Sequence, residues 1–249
     1  MRIAVCVKRV PDTESRVKIA DGATTIDPTG IKFVMSPYDE FALETALRLK
    51  DAGADTEIVA LTVGETVCAE QLRTALAMGA DRAVHLEGAP TTDGLATARA
   101  LAAEVGALGA DLVLLGMKAT DDDQQQVGPM LAELLDWACV TVASKVEIAA
   151  GNVVARRESE TGLETVQAAL PAVVTITKGD FEPRYPSLKG IMAAKKKPLE
   201  VKPAALGPSR VRVLGLGYPP DRPPGRMVGQ GPDAVPELVR LLREEAKVL

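Results

Sequence analysis

With 249 residues, 47% of them hydrophobic, the chain can bury a full core and is not a disordered acidic protein. Aromatic residues make up only 3% and the net charge is −5, which argues against stacking on single-stranded nucleic acid and against general polyanion binding, so no nucleic-acid partner is expected. No apolar run is long enough to span a bilayer and the N-terminus reads without a signal peptide; a cytoplasmic chain with no membrane insertion is the expectation.

Ile3 to Val7 reads as a first buried parallel strand, left by Lys8-Arg9-Val10-Pro11-Asp12. Two readings of that basic pair stay open: a solvated loop, or charge beside a bound phosphate or partner. Val17 to Ala20 and Thr24 to Asp27, separated by Asp21-Gly22, predict a small hairpin. Ser36-Pro37-Tyr38-Asp39 is a helix start, with Ser36 at the N-cap, Pro37 at the first helical position and Asp39 at N3. Leu43, Ala46, Leu47 and Lys50 follow at helical spacing.

Glu57 to Thr62 predicts a second strand ending at Val63-Gly64, Cys68 to Met78 a helix, Arg82 to Leu86 a third strand, and Thr92-Asp93-Gly94 the start of a helix to about Val105. A fourth strand, Leu112 to Leu115, leads into Gly116. The order is βα repeated, with strands about 25 to 30 residues apart after the second, as crossover units require. A sheet wound on both sides of its first strand puts the first and fourth strands side by side at the topological switch point. The predicted pocket is the crevice between Cys6-Val7-Lys8 and Gly116-Met117-Lys118.

Cys6, Cys68 and Cys139 are odd in number, far apart and set in apolar segments. No disulfide framework or CxxC metal site is visible, and small core residues are the reading for all three. His85 is the only histidine; its neighbours offer no nucleophile, and a structural role on a strand is expected.

Gly116 to Gly128 is strand end, glycine turn, polar loop and helix start, with Met130 to Leu135 resuming the apolar helical pattern. Three aspartates beside an anion make sense if divided by role: one capping the helix, one accepting from ribose hydroxyls, with phosphate taking backbone N–H groups near Gln124 to Val127. The alternative is that Asp121 to Asp123 cap the helix and face water. The glycine pattern matches neither a P-loop nor a dinucleotide fingerprint. No nucleophile–base pair is evident, so a nucleotide would be bound and not consumed.

After Trp137, read as a core or subunit-packing residue, Val140 to Ile148, Asn152 to Arg157, Leu163 to Ala168 and Ala172 to Thr177 read as a β-rich meander extending the sheet. The loop Phe181 to Leu188 precedes a short helix, Lys189 to Ala194, and the run Lys195-Lys196-Lys197, which reads either as a solvated face or as a partner-facing patch. From Tyr218, Pro219-Pro220, Pro223-Pro224 and Gly229 to Pro232 form a semi-rigid arm to an amphipathic helix carrying Val235, Leu238, Val239 and Leu242. The fold class is thus α/β: a doubly wound, mostly parallel, Rossmann-like sheet with a β-rich extension in residues 1–217, and in 218–249 an arm plus helix whose apolar stripe must dock on the body of this chain or on a partner subunit, the partner reading standing slightly ahead.

The chain resembles the β subunit of electron transfer flavoproteins over nearly its whole length. The resemblance is carried by Val5-Cys6-Val7-Lys8-Arg9-Val10, Thr74 to Arg82, Leu114-Leu115-Gly116 with Asp121-Asp122-Asp123, Gly162-Leu163-Glu164-Thr165, Leu170 to Thr175, Glu182-Pro183-Arg184-Tyr185, and Ile191-Met192 before the lysines. It implies a non-catalytic electron carrier, not an enzyme. The expected assembly is a heterodimer with a larger α subunit that holds most of one FAD, and the β subunit buries a structural AMP. It further implies electron uptake from acyl-CoA and other dehydrogenases, as in fatty acid oxidation, and delivery to a quinone oxidoreductase.

By position, the resemblance assigns the AMP pocket to Cys6, to Ser36, Pro37, Tyr38 and Asp39, and to Val63. It adds Gly116, Met117, Lys118, Ala119, Thr120, Asp121, Asp122, Asp123, Gln124, Gln125, Gln126 and Val127. Ser36 would then cap its helix and touch the nucleotide together. Leu188 matches an anchor leucine that inserts into the dehydrogenase, and Glu158 a glutamate that pairs with an arginine of the α subunit's mobile flavin domain. The loop after Asp12 lacks a tyrosine that some relatives place near the flavin, which leaves open whether this chain touches FAD.

Two alternatives stand beside this. In a bifurcating relative the pocket holds a second FAD; Asp122, where those relatives tend to carry glycine, argues for AMP. A stand-alone nucleotide-binding stress or signalling protein on the same fold is the other.

Overall fold

A computed structural model describes residues 1–53, 55–222 and 224–249. Pro223 of the expected arm lies outside the described residues. The chain divides into two compact units, Met1–Gly215 and Leu216–Leu249.

The first unit is built on β1 (Arg2–Cys6), β6 (Glu57–Gly64), β7 (Arg82–Glu87) and β8 (Leu112–Gly116). Each is an almost unbroken buried run, the texture of a strand covered on both faces. Around them stand β2 (Arg9–Pro11), β3 (Lys18–Ile19), β4 (Ile26–Asp27), β5 (Phe33–Met35), α1 (Pro37–Asp51), α2 (Ala69–Met78), α3 (Gly94–Leu108), α4 (Val127–Leu135), β9 (Ala138–Ala149), β10 (Asn152–Ser159), β11 (Gly162–Ala169), β12 (Ala172–Ile176), α5 (Leu188–Ala194) and β13 (Leu199–Pro203). The sheet order is β11-β10-β9-β12-β8-β1-β6-β7-β13. β1 pairs in parallel with β6 on one side and β8 on the other, so the chain winds outward in one direction and then reverses, as expected.

Two cores cover the two faces. Phe41, Leu43 and Leu47 of α1 and Leu72 and Leu76 of α2 pack on one side with Ile3, Ile58 and Leu114. Ala98, Leu101 and Val105 of α3 and Leu131 of α4 pack on the other with Ala4, Leu61 and Val113. Helices on both faces make the sheet doubly wound. Asp93 caps α3 by accepting from Leu95 N–H and Ala96 N–H at 2.9 and 3.3 Å, and Gly109 closes it in the left-handed region at φ 61°.

The β-rich part differs from the expected meander. β9, β10 and β11 are antiparallel, but β12 returns inside the sheet, parallel to both β8 and β9. Its five residues are all buried, which suits an interior position and not a meander edge. The small β3–β4 hairpin forms as expected. Arg9–Pro11 is no simple loop: it pairs antiparallel with Phe33–Met35, and Arg9 stacks its guanidinium 3.5 Å over the Phe33 ring. β13, which the sequence pattern did not suggest, closes the far edge beside β7.

Of the cysteines, Cys6 is buried, Cys68 half-buried and Cys139 exposed. Cys139 therefore is not a core residue; it lies with Ala138 at the exposed start of β9. Trp137 is half-buried against the α3–α4 core. His85 is buried and its Nε2 lies 3.0 Å from Gly64 O, a satisfied structural position.

In the second unit α6 (Val235–Glu244) has no buried residue. Arg240 pairs with Glu237 and Glu244, both at 2.7 Å, and Val235 and Leu238 are exposed. Among the described residues no helix is long and apolar enough to cross a membrane.

Candidate functional site

The crevice forms where β1 and β8 end. Gly116 must be glycine there: a Cβ would stand 2.6 Å from Asp39 Oδ1, 2.7 Å from Tyr38 Cβ and 2.9 Å from the Tyr38 carbonyl carbon. The first turn of α1 thus presses directly on the end of β8. Asp39 is buried and joins both strand ends: Lys8 N–H donates to Oδ2 and Gly116 N–H to Oδ1, each at 2.8 Å. Burial pushes its carboxyl up to about 7 against the pull of those two N–H donors. Burial, helped by the Asp39 charge, also pushes the Cys6 thiol well above its ordinary range, so Cys6 is a wall and not a nucleophile.

The aspartates do not cap α4 as expected. Lys8 Nζ holds Asp121 and Asp122 at 2.7 and 2.8 Å, and Lys118 holds Asp123 at 3.0 Å. None of the three caps α4. Gln126 occupies the N-cap position and makes no side-chain cap, because the loop carries the aspartates away from the helix axis through left-handed residues at Asp123 and Gln125, φ 51° and 55°. The helix opens at Val127, three residues before the periodic run. Its first-turn N–H groups at Val127 and Gly128 thus have no side-chain cap, and Pro129 has no N–H to satisfy.

Ser36 also departs from expectation. It stands at the N-cap of α1 but makes no cap bond; its Oγ is buried without a hydrogen-bond partner, as is Thr120 Oγ1. Two buried hydroxyls without a partner, on the segments that follow β5 and β8, are a departure from ordinary satisfaction.

Cys6, Ser36 to Asp39 and Gly116 to Asp123 are brought to this one place, with Val63 at the end of the neighbouring strand β6. Gln124 and Gln126 sit against the start of α3: Gln124 Nε2 donates to Thr92 O at 3.3 Å, and Gln126 lies 3.1 Å from a Cβ built on Gly94. That contact with α3 was not foreseen, since nothing in sequence links positions so far apart. Among the described residues no cluster of side chains suits a metal ion. A cavity of about 260 Å³ lies at the start of α3, lined by Thr91, Thr92, Leu206, Ser209 and Val211 and by no charged side chain.

Leu188 and Glu158 lie elsewhere. Leu188 opens α5, which Ser187 caps by accepting from Gly190 N–H at 3.0 Å. It is 85% exposed, beside exposed Tyr185, Ile191 and Met192. The loop before it is pinned by Arg184, whose Nε and Nη2 donate to the buried Glu44 at 2.8 and 3.0 Å and whose Nη2 reaches Asp51 at 2.8 Å. Glu158 is exposed on β10 opposite Leu163 of β11. Lys197 belongs to neither reading of the lysine run: its Nζ donates to Leu76 O and Ala80 O at 2.9 and 2.6 Å, closing the end of α2. Lys195 and Lys196 remain exposed.

Fold and crevice define a doubly wound α/β protein with its site at the strand-order reversal. The model of the electron transfer flavoprotein domain matches residues 23–206. Along its whole length the chain is 38% identical to the electron transfer flavoprotein subunit beta of Syntrophomonas wolfei, over 98% of that protein. It is 40% identical to the subunit beta of Bradyrhizobium diazoefficiens, with both chains fully covered. With the human subunit beta the identity is 41% over 98% of each chain. The chain belongs to the electron transfer flavoprotein family.

Proposed function

We propose that this chain is the β half of a heterodimeric electron transfer flavoprotein, an electron carrier with no catalytic residues of its own, and that its crevice holds AMP as a retained structural nucleotide. The observation that carries this is the set of unsatisfied polar groups at the switch point: Ser36 Oγ, Thr120 Oγ1 and the uncapped start of α4. The uncapped helix start suits an adenylate, offering its N–H groups to a phosphate. Cys6, Pro37, Tyr38, Val63 and Gly116 through Val127 supply the walls. The aspartates, held by Lys8 and Lys118, keep the loop shut on a ligand that is not turned over.

FAD, held mainly by the α subunit, supplies one- and two-electron chemistry when bound. The β chain contributes surfaces to that assembly. Leu188, rigidly presented by the Arg184–Glu44 anchor, is the docking point for acyl-CoA and other dehydrogenases, as an exposed apolar anchor on an ordered loop. Glu158 faces the α subunit's flavin domain, and the stripe of α6 docks on the partner subunit. A quinone oxidoreductase in the respiratory chain then takes the electrons.

Co-expression with the α subunit, followed by acid release of bound nucleotides, tests this. One AMP and one FAD per heterodimer is the expected result. Two flavins, or no adenylate, overturn it.

A further inference from the structure

We propose that Asp39 is a positioning residue that braces the crevice: its two carboxylate oxygens tie the end of β1 to the end of β8, set the width of the gap and touch no ligand themselves. This rests on the nucleotide reading above and alters one part of it, because Asp39 then leaves the set of direct contacts.

The geometry carries the assignment. Each oxygen already accepts a backbone N–H at 2.8 Å, one from Lys8 and one from Gly116. Gly116 ends β8 and Lys8 lies two residues beyond the end of β1, just past the point where the ladder between these neighbouring parallel strands stops at Cys6 and Leu115. Beyond that point no ladder bond joins β1 to β8 directly, each keeping only its outer neighbour, β6 or β12, and Asp39 supplies the cross-link between them. The brace has no slack, for a Cβ at Gly116 would meet Oδ1 at 2.6 Å. Lys8 extends the linkage: its backbone grips Asp39 while its Nζ grips Asp121 and Asp122. Brace, strand end and acidic loop are thus one connected unit.

A buried carboxylate with two N–H donors is a satisfied acceptor only while ionised. Protonation turns one oxygen into a hydroxyl, which cannot accept as before. The groups facing Asp39 are Lys8, which favours its charge, and Asp121, which opposes it, with the Cys6 thiol alongside. Burial is the largest influence and pushes the carboxyl up to about 7. The width of the crevice is therefore linked to a proton near neutral pH, and nucleotide retention is strongest on the alkaline side.

The test is made on the complete heterodimer, wild type and Asp39→Asn. Amide hydrogen exchange at Lys8 and Gly116, corrected for the intrinsic pH dependence, is read at about pH 6 and about pH 8. The wild type is expected to lose up to about tenfold protection at these two amides on going to the lower pH, the equivalent of one hydrogen bond. Val5 and Leu114, inside the ladder, stay unchanged. In D39N, which keeps a single acceptor oxygen, at least one of the two amides exchanges quickly at both pH values. Calorimetric titration with AMP is the second arm: D39N binds at least about tenfold more weakly, and wild type releases more protons on binding than D39N, the phosphate's own titration being common to both.

Equal protection and equal AMP affinity in the two proteins overturn the brace. If neither protein takes up AMP, the nucleotide reading falls, while the exchange data still decide whether Asp39 ties the strands. Should D39N fail to assemble, the wild-type pH profile at Lys8 and Gly116 is decisive by itself: a flat profile ends the proposal, and a loss of protection at the lower pH supports it.

Discussion

Replacing Arg184 with alanine removes the clamp that holds the loop before Leu188 onto α1. Glu44 is 6% exposed at its side chain and receives Nε at 2.8 Å and Nη2 at 3.0 Å, so the substitution leaves a buried carboxylate without its cation. Breaking a fully buried pair in this way costs about 3–5 kcal/mol. The guanidinium is 38% exposed, so solvent already screens part of the interaction, and about 2 kcal/mol is the expected loss. For a chain of this size that lowers the melting temperature by about 4–8 °C. Thermal unfolding of R184A, E44Q and the double variant isolates the pair, with an expected coupling of at least about 1 kcal/mol. The amides of residues 181–188 should also exchange faster, since the loop keeps only the backbone N–H of residue 184 on Glu44, at 3.1 Å. A loss below about 0.5 kcal/mol with no coupling would mean the contact is an ordinary surface pair and the presentation of Leu188 owes nothing to it.

Leu188→Ala should leave stability within about 0.5 kcal/mol and lower kcat/KM for dehydrogenase-driven reduction of the flavoprotein about 5–30-fold; unchanged kinetics would remove Leu188 from the docking surface. Gly116→Ala forces apart α1 and β8, costing about 1–3 kcal/mol by urea denaturation, together with loss of bound adenylate; a fully stable, AMP-retaining variant would contradict the close approach. Asp93→Ala should free residues 207–211, because Asp93 also accepts from Arg210 N–H at 2.6 Å; hydrogen exchange there is the check, and unchanged protection refutes it.

For pH, burial raises the folded-state Asp39 carboxyl to about 7, above its ordinary value of 3.8. The folded protein then keeps a proton that the unfolded chain has already released. The stability this contributes is fully present below the ordinary value and is lost as pH rises through about 7. Nucleotide-free wild type should therefore lose stability relative to D39N between about pH 4 and pH 7, and a difference independent of pH would contradict the burial.

Much of the site was legible because it depends on chain order. Four βα units and a reversal place the end of β1 beside the end of β8 whatever their side chains, and a glycine at the end of β8 signalled close approach. The roles of individual polar residues were not legible. Ser36 and Pro37 form a good helix-start pattern, yet the hydroxyl is buried without capping the helix, and no local rule separates those outcomes. Asp121 to Asp123 looked like a source of the cap for α4, whereas Lys8, more than a hundred residues earlier, takes two of them. The lysine run held a similar surprise, because Lys197 reaches back to α2 while its neighbours stay in water.

Periodicity and turn residues alone determined the doubly wound core, since buried parallel strands must be continuous apolar runs and their crossovers must be helices. Tertiary structure alone decided that β12 slips between β8 and β9, that Arg9–Pro11 finds Phe33–Met35, and that Asp39 spans two strand ends. Each of these is a pairing between distant segments, chosen by which backbone groups remain unsatisfied once the core has closed, and that remainder is a property of the packed molecule and not of any stretch of chain.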